Sequence, residues 1–204
     1  MEDDLELAVR WREGDKRAGA RLFERNYVSI ERFFRNKVSH GLEDLIQRTF
    51  LICVETKDRF RGASSYRTYL FAIANNVLRN HYRSARRDRE RLDFGTHSVA
   101  DLAPGMSSLV RGKEEQSVLL QALREIPLDY QIVLELYYWE ELDGKEISAA
   151  LDIPLGTARS RIRIGKERLE RKLTELHARD RRPTETQSNL DDWARAVREL
   201  VLNS

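Results

Sequence analysis

Apolar positions recur every three or four residues through most of this chain, the period of helices that bury one face. Leu5, Ala8 and Val9, then Leu22, Phe23, Tyr27, Ile30, Phe33 and Phe34, form two such stripes between residues 5 and 39, with Gly14-Asp15 as the break. After a polar turn at Ser39-His40-Gly41, a third helix is predicted from about Leu42 to Thr56. Its inner side is Leu45, Ile46, Thr49, Phe50, Ile52 and Cys53, and Glu43, Asp44, Gln47, Arg48 and Glu55 decorate the rest. Gly62 and the paired Ser64 and Ser65 then mark a loop, with either serine available to cap the following helix. That helix turns Leu70, Phe71, Ile73, Ala74, Val77 and Leu78 inward and leaves Asn75, Asn76, Arg79, Asn80, Tyr82 and Arg83 outside.

From Ser84 the pattern fades into charge, glycine and serine, so residues 88–112 read as a flexible linker. Helical spacing returns at Glu114 to Glu125, which Pro127 ends, and again at Tyr130 to Trp139. A short helix from Gly144 to Leu151 places Ile147, Ala150 and Leu151 on one face. Asp152-Ile153-Pro154 breaks it, because proline disfavours helical geometry in the residue before it. The next helix starts at Pro154 or Leu155, runs to about Leu176 and faces Ala158, Ile162, Gly165 and Leu169 inward. Beyond a polar connector, Leu190, Trp193, Ala194, Val197, Leu200 and Val201 mark a short amphipathic helix. The predicted fold is all-α: two small helical domains joined by a flexible linker, the second containing a helix-turn-helix.

Charge sharpens this picture only locally. A net charge of +2 over 204 residues is too small for a polycation, so any nucleic-acid binding must rest on clusters. One cluster is Arg159, Arg161, Arg163, Lys166 and Arg168, interrupted only by Glu167. Thr157, Arg159, Ser160 and Arg163 lie on the outer side of the second helix of the pair, where small and hydroxyl residues allow close approach to a groove and arginine reaches phosphate or guanine. Arg161 projects nearer the core side, where it packs or joins the DNA face. A second candidate surface gathers Arg61, Ser64, Ser65, Tyr66, Arg67, Asn75, Asn76, Arg79, Asn80 and Arg83, the residue types that bind single-stranded DNA by stacking and backbone tracking. On residue types alone, a solvated face explains that set equally well.

Other chemistry finds little support. Cys53, the single cysteine, sits in an apolar run as a buried structural thiol, and four scattered histidines make no metal pattern. No phosphate-cradling glycine loop or nucleophile motif points to an enzyme or a cofactor. The acidic N-terminus is unlike a signal peptide, and no apolar run approaches the ~18 residues a membrane span needs. A cytoplasmic protein without membrane insertion is expected.

The order RLFERNY, EDLIQRTFL, DRFRGASSYRTYLFAIANNVLRNHYR and IPLDYQIVLELYYWEELDGKEISAALDIPLGTARSRI resembles the extracytoplasmic-function group of sigma-70-type bacterial sigma factors, over residues 18–176. The resemblance implies an alternative sigma factor that binds core RNA polymerase and directs promoter recognition, melting and initiation. It implies four segments: residues 1–87 as region 2, 88–112 as the linker, 113–177 as region 4, and 178–204 as a C-terminal extension. Glu43, Asp44, Gln47 and Arg48 fall in the motif that docks on the coiled coil of the polymerase's largest subunit, with Asp44 and Gln47 the main contacts. The stretch Arg61 to Arg83 matches the part that melts the minus-ten element and holds the non-template strand, and the helix-turn-helix matches the reader of duplex minus-thirty-five DNA. Arg48 stands where the family usually has an acid, and Thr49 lies beside it. A negative charge there would strengthen docking, which makes a kinase, along with an anti-sigma protein, a candidate regulator. The rival reading, a stand-alone helix-turn-helix regulator, would need an α/β receiver or ligand domain in front.

Overall fold

The computed structural model describes residues 2–62, 64–85, 92–103 and 114–180. α1 (Asp4–Arg12) opens on a capping box in which Asp3 and Glu6 satisfy each other's backbone N–H. Gly14, at φ +106°, turns the chain into α2 (Lys16–Arg35), whose first N–H groups are accepted by Asp15. The two helices close tightly because position 19 has no side chain. A Cβ on Gly19 would sit 2.4 Å from the Trp11 ring.

α3 (Leu42–Glu55) follows, then a single 3-10 turn at Lys57–Arg59, then α4 (Tyr66–Ala85). The Ser65 hydroxyl accepts the N–H of Thr68 at 3.1 Å, so of the two serines it is Ser65 that caps α4. Residues 92–103 depart from a featureless linker. Phe94 and Val99 are buried, Ser98 caps the short α5 (Val99–Leu102), and Phe94 and His97 carbonyls accept from Asp129 and Leu128. Two isolated apolar anchors have no period, which is why a pattern-based expectation passes over them. The linker's remainder, 104–113, and the expected amphipathic helix of the C-terminal extension lie outside the described residues.

The second half comprises α6 (Glu114–Glu125), α7 (Leu128–Tyr138), α8 (Gly144–Leu151) and α9 (Leu155–Asp180). α6 ends at Glu125, two residues before Pro127, and Pro127 also sits at the N-cap of α7, where a missing N–H costs nothing. α7 is buried on nearly every side, and no strand occurs among the described residues. One apolar cluster runs from α1–α4 directly into Leu128, Ile132, Val133 and Leu136 of α7, Ile147, Ala150 and Leu151 of α8, and Ala158 of α9. A smaller cluster joins α6, α7 and α9, where Gly165 lets the helices approach: a Cβ there would lie 3.2 Å from Leu134. α8 packs along α4, so the two halves share a core.

Candidate nucleic-acid and polymerase interfaces

The helix-turn-helix is built by local rules. Asp143 caps α8 in a capping box with Glu146, and hydrogen bonding by the backbone amides of Glu146 and Lys145 holds the Asp143 carboxyl below its ordinary range. Asp152, at φ 52°, ends α8 in the left-handed region, and the Ser148 hydroxyl donates to the Ile153 carbonyl at 2.6 Å to fix the turn. With Ala158 and Gly165 buried, Arg159 and Arg163 are exposed and Thr157 and Ser160 are half-buried beside them. Ser160 donates to the Thr157 carbonyl at 3.0 Å, and Arg163 meets Glu167 at 2.6 Å.

The rest of that basic cluster points elsewhere. Arg161 turns inward and pairs with Asp129 at 2.7 Å, which removes it from the candidate DNA face in this arrangement. Lys166 lies 5.0 Å from the Tyr137 ring and 5.1 Å from that of Tyr138, and Arg168 lies 4.8 Å from Tyr130. Crowding in sequence therefore overstates the outward charge of α9, because cations stacked on aromatic faces are part of the packing.

The candidate single-strand surface divides in the same way. Arg61, Ser65, Asn76, Asn80 and Arg83 are exposed and Ser64 half-buried, with the Arg83 guanidinium 5.8 Å from the Phe94 ring. Tyr66 is a correction: at 1% exposure it sits edge-on to Phe60, and burial pushes both its phenol and the adjoining Cys53 thiol upward. No base can stack on that ring without opening the core. Asn75 is also buried, accepting from Arg79 Nε at 3.2 Å. Arg79 itself pairs with Asp129 at 2.5 Å, and Arg67 pairs with Glu140. Tyr82, expected outside, donates to the Lys37 carbonyl from a buried position.

Sequence spacing missed the charged residues that make this contact. Glu140 also binds Arg32 at 3.2 Å, and Lys37, fully buried, pairs with Glu135 while donating to the Phe33 carbonyl at 2.6 Å. Burial lowers the Lys37 pKa, against the opposing pull of Glu135. A signal was present: Asp129, Glu135 and Glu140 interrupt the most apolar stretch of the chain, LDYQIVLELYYWEEL, where a carboxylate needs a partner.

On α3, Glu43, Asp44, Gln47 and Arg48 are all exposed. Beside them an open groove of 720 Å³ is lined by Phe23, Tyr27, Ile46, Phe50, Leu51 and Val54, with Glu24, Glu43 and Gln47 at its polar edge. Tyr27, Leu51 and Val54 are each 45% exposed. Asp44 and Arg48 form no ion pair with each other among the described residues. Thr49 is fully buried and donates to the Leu45 carbonyl at 2.8 Å, so a phosphate there would break the helix packing and a kinase acting at Thr49 is ruled out for this arrangement. Cys53 is inert for a similar reason. Burial pushes its thiol up to about 12, far from the thiolate that reacts.

Two family models match the chain, sigma-70 region 2 over residues 22–88 and sigma-70 region 4 over residues 116–169. The chain belongs to the sigma-70 family. Its relatives place it in the ECF group. It is 28% identical to the ECF RNA polymerase sigma-E factor of Haemophilus influenzae, across 85% of this chain and 96% of that protein. It is 29% identical to the RNA polymerase sigma-H factor of Pseudomonas aeruginosa, across 86% and 96%. In fold, this sigma factor is similar to CnrH in its complex with the cytosolic domain of CnrY, with a TM-score of 0.60 and 22% identity over 88% of this chain and 99% of that one. It is also similar to the sigma factor RpoE of Bartonella quintana bound to the anti-sigma factor NepR, with a TM-score of 0.56 and 20% identity over 72% and 90%. Among the described residues, no helix of the sigma factor is long and apolar enough to cross a membrane.

Proposed function

We propose that this sigma factor docks on core RNA polymerase through α3, melts and holds the minus-ten element with α4 and its preceding loop, and reads the minus-thirty-five element with α9. The observation that carries the reading is a division of surface. Glu43, Asp44, Gln47 and Arg48 stand exposed beside an apolar groove on one side, while Arg159 and Arg163 stand exposed on the helix-turn-helix. A polar row next to apolar side chains suits a protein partner, whose affinity comes from an apolar centre and whose orientation comes from charge. An arginine face on the second helix of the pair suits a DNA groove.

In this assignment residues 1–87 form the docking and melting segment, 88–112 connect, 113–177 form the upstream reader and 178–204 extend it. The exposed set Arg61, Ser65, Asn76, Asn80 and Arg83 meets the non-template strand first, and Arg67, Asn75 and Arg79 join only where α7 and α8 move away. The factor works in the cytoplasm and carries no active site, since the polymerase forms the phosphodiester bond. Its part in opening is differential binding: bases held by protein offset lost stacking of ~1–2 kcal/mol per step. The anti-sigma factor bound to RpoE of Bartonella quintana supports a regulator of that class here.

Run-off transcription with core polymerase on genomic fragments tests the assignment. The expected result is factor-dependent initiation at discrete start sites and co-elution with core polymerase, both lost in Asp44→Arg. Sequence-specific retention of duplex promoter fragments by the chain alone, with no co-elution, would instead establish the stand-alone regulator.

A further inference from the structure

The ion pairs between the two halves follow an order along the helices. Arg67, at the start of α4, meets Glu140 beyond the C-terminal end of α7, and Arg79, about 18 Å further along α4, meets Asp129 at the N-terminal end of α7. Between them Lys37 meets Glu135, and Arg32 adds a second cation to Glu140. Four cations from the first half thus face three carboxylates from the second, in opposite chain order. Asp129 also takes Arg161, so a single carboxylate holds one arginine from each of the two DNA-reading helices.

Stability does not account for so many buried charges. Lys37, Glu135, Arg32 and Glu140 are each 5% exposed or less, and such pairs roughly break even against apolar residues of similar volume because both ions lose water. Their distinctive property is reversibility: when the halves separate, both sets regain water, and the cations are left as a basic patch, Arg67 and Arg79 on α4 and Arg32 and Lys37 at the C-terminal end of α2 and just beyond it. A patch of arginine and lysine beside exposed Asn76, Asn80 and Arg83 matches the chemistry that tracks a single-stranded phosphate backbone.

We propose that Arg32, Lys37, Arg67 and Arg79 form a phosphate-binding face for the melted strand, and that Asp129, Glu135 and Glu140 occupy it in the closed molecule as a built-in competitor of single-stranded DNA. The idea rests on the assignment of α4 to strand capture and adds two residues, Arg32 and Lys37, that lie outside the melting segment Arg61 to Arg83. It also makes the closed chain a poor DNA binder until something pulls α7 and α8 from α4. The docking face on α3 stays exposed meanwhile, so polymerase can engage first.

The test uses the full chain without polymerase and a fluorescein-labelled oligothymidylate, read by anisotropy. Asp129→Asn and Glu140→Gln each preserve shape and remove the competing charge. Affinity should rise about tenfold, as when a competent fraction goes from about a tenth to most of the population. Adding Arg32→Gln to Glu140→Gln should reverse the gain. Asp129→Asn lies at the other end of the contact and guards against Glu140→Gln failing to fold, checked by circular dichroism. Folded variants that open, by a fluorophore pair placed at Arg17→Cys and Glu170→Cys, yet bind no more oligothymidylate would overturn the competitor. A gain untouched by Arg32→Gln would overturn the phosphate face. Run-off transcription by the same variants separates the two levels: if the wild-type chain initiates while the anisotropy arms fail, the sigma assignment stands and only the competitor is lost.

Discussion

Removing the Glu135 carboxylate should uncouple the two halves before it unfolds either one. In the closed molecule the Lys37 ammonium is fully buried, with the Phe33 carbonyl and the Glu135 carboxylate as its polar partners and the Phe33 ring 4.4 Å away. Glu135→Ala leaves that ammonium without a counter-ion and strands the Gln131 amide that donates to Glu135 at 2.9 Å. Breaking a buried pair in this way costs about 3–5 kcal/mol. For a chain of this size each kcal/mol moves the melting temperature by about 2–4 °C, so a cooperative unit absorbing the whole loss would melt about 6–20 °C lower.

The chain has a cheaper escape, because separation of the halves rehydrates Lys37 while α1–α4 stay packed. The two outcomes are distinguishable with single-tryptophan versions of the protein, since Trp11 reports the first half and Trp139 the second, and both are buried. In the wild type the shared core predicts coincident urea transitions by both probes. In Glu135→Ala the transitions should split, with Trp139 moving to lower urea. The paired replacement Lys37→Met with Glu135→Leu should restore coincidence and leave stability unchanged or higher by about 1–4 kcal/mol. Coincident transitions and an unshifted midpoint in Glu135→Ala would refute the argument, because they would mean the ammonium is hydrated in the native protein.

Four further outcomes are expected. Gly19→Ala places a Cβ 2.4 Å from the Trp11 ring and should lower stability by about 1–3 kcal/mol in urea unfolding. Arg163→Ala should weaken upstream-element binding by ~1–3 kcal/mol if the guanidinium reads a base, measured with reconstituted holoenzyme, and leave the melting temperature unchanged because its Glu167 pair is exposed. Arg48→Glu should raise affinity for core polymerase at low salt, with the gain shrinking at high salt as charge is screened; a loss would remove Arg48 from the contact. Burial and the neighbouring His40 lower the His81 pKa, so the unfolded chain takes up that proton first. Stability supplied by the neutral ring should therefore be present above about pH 6.5 and decline as pH falls through that value, and His81→Gln should flatten that part of a urea-midpoint profile.

Elements were legible in the sequence where one physical rule decides them. The 3.6-residue period gave the long helices, Pro154 and Asp152 the turn of the helix-turn-helix, and the Ser64-Ser65 pair the cap of α4, which the structure assigns to Ser65. The same period assigns side chains to an outside without knowing what covers it, and here α7 and α8 cover much of the α4 face. Asn75 and Tyr82 are polar enough to sit in water, yet both are buried; Tyr66 belongs to the core of the first half itself. Arg161 is spaced like its neighbours, yet it bonds Asp129, which lies on α7 and has no local link to it in sequence. Such contacts are set by tertiary pairing of charges, for which sequence offers one cue, a carboxylate inside an apolar run. Asp129, Glu135 and Glu140 all meet that description. A carboxylate so placed needs a cation from elsewhere; Arg67, Arg79 and Arg161 supply it from the helices assigned to DNA, and Arg32 and Lys37 from α2 and the residues just after it. On that assignment the residues proposed to read DNA and those that close the molecule are partly the same side chains, and one surface cannot serve both tasks at once.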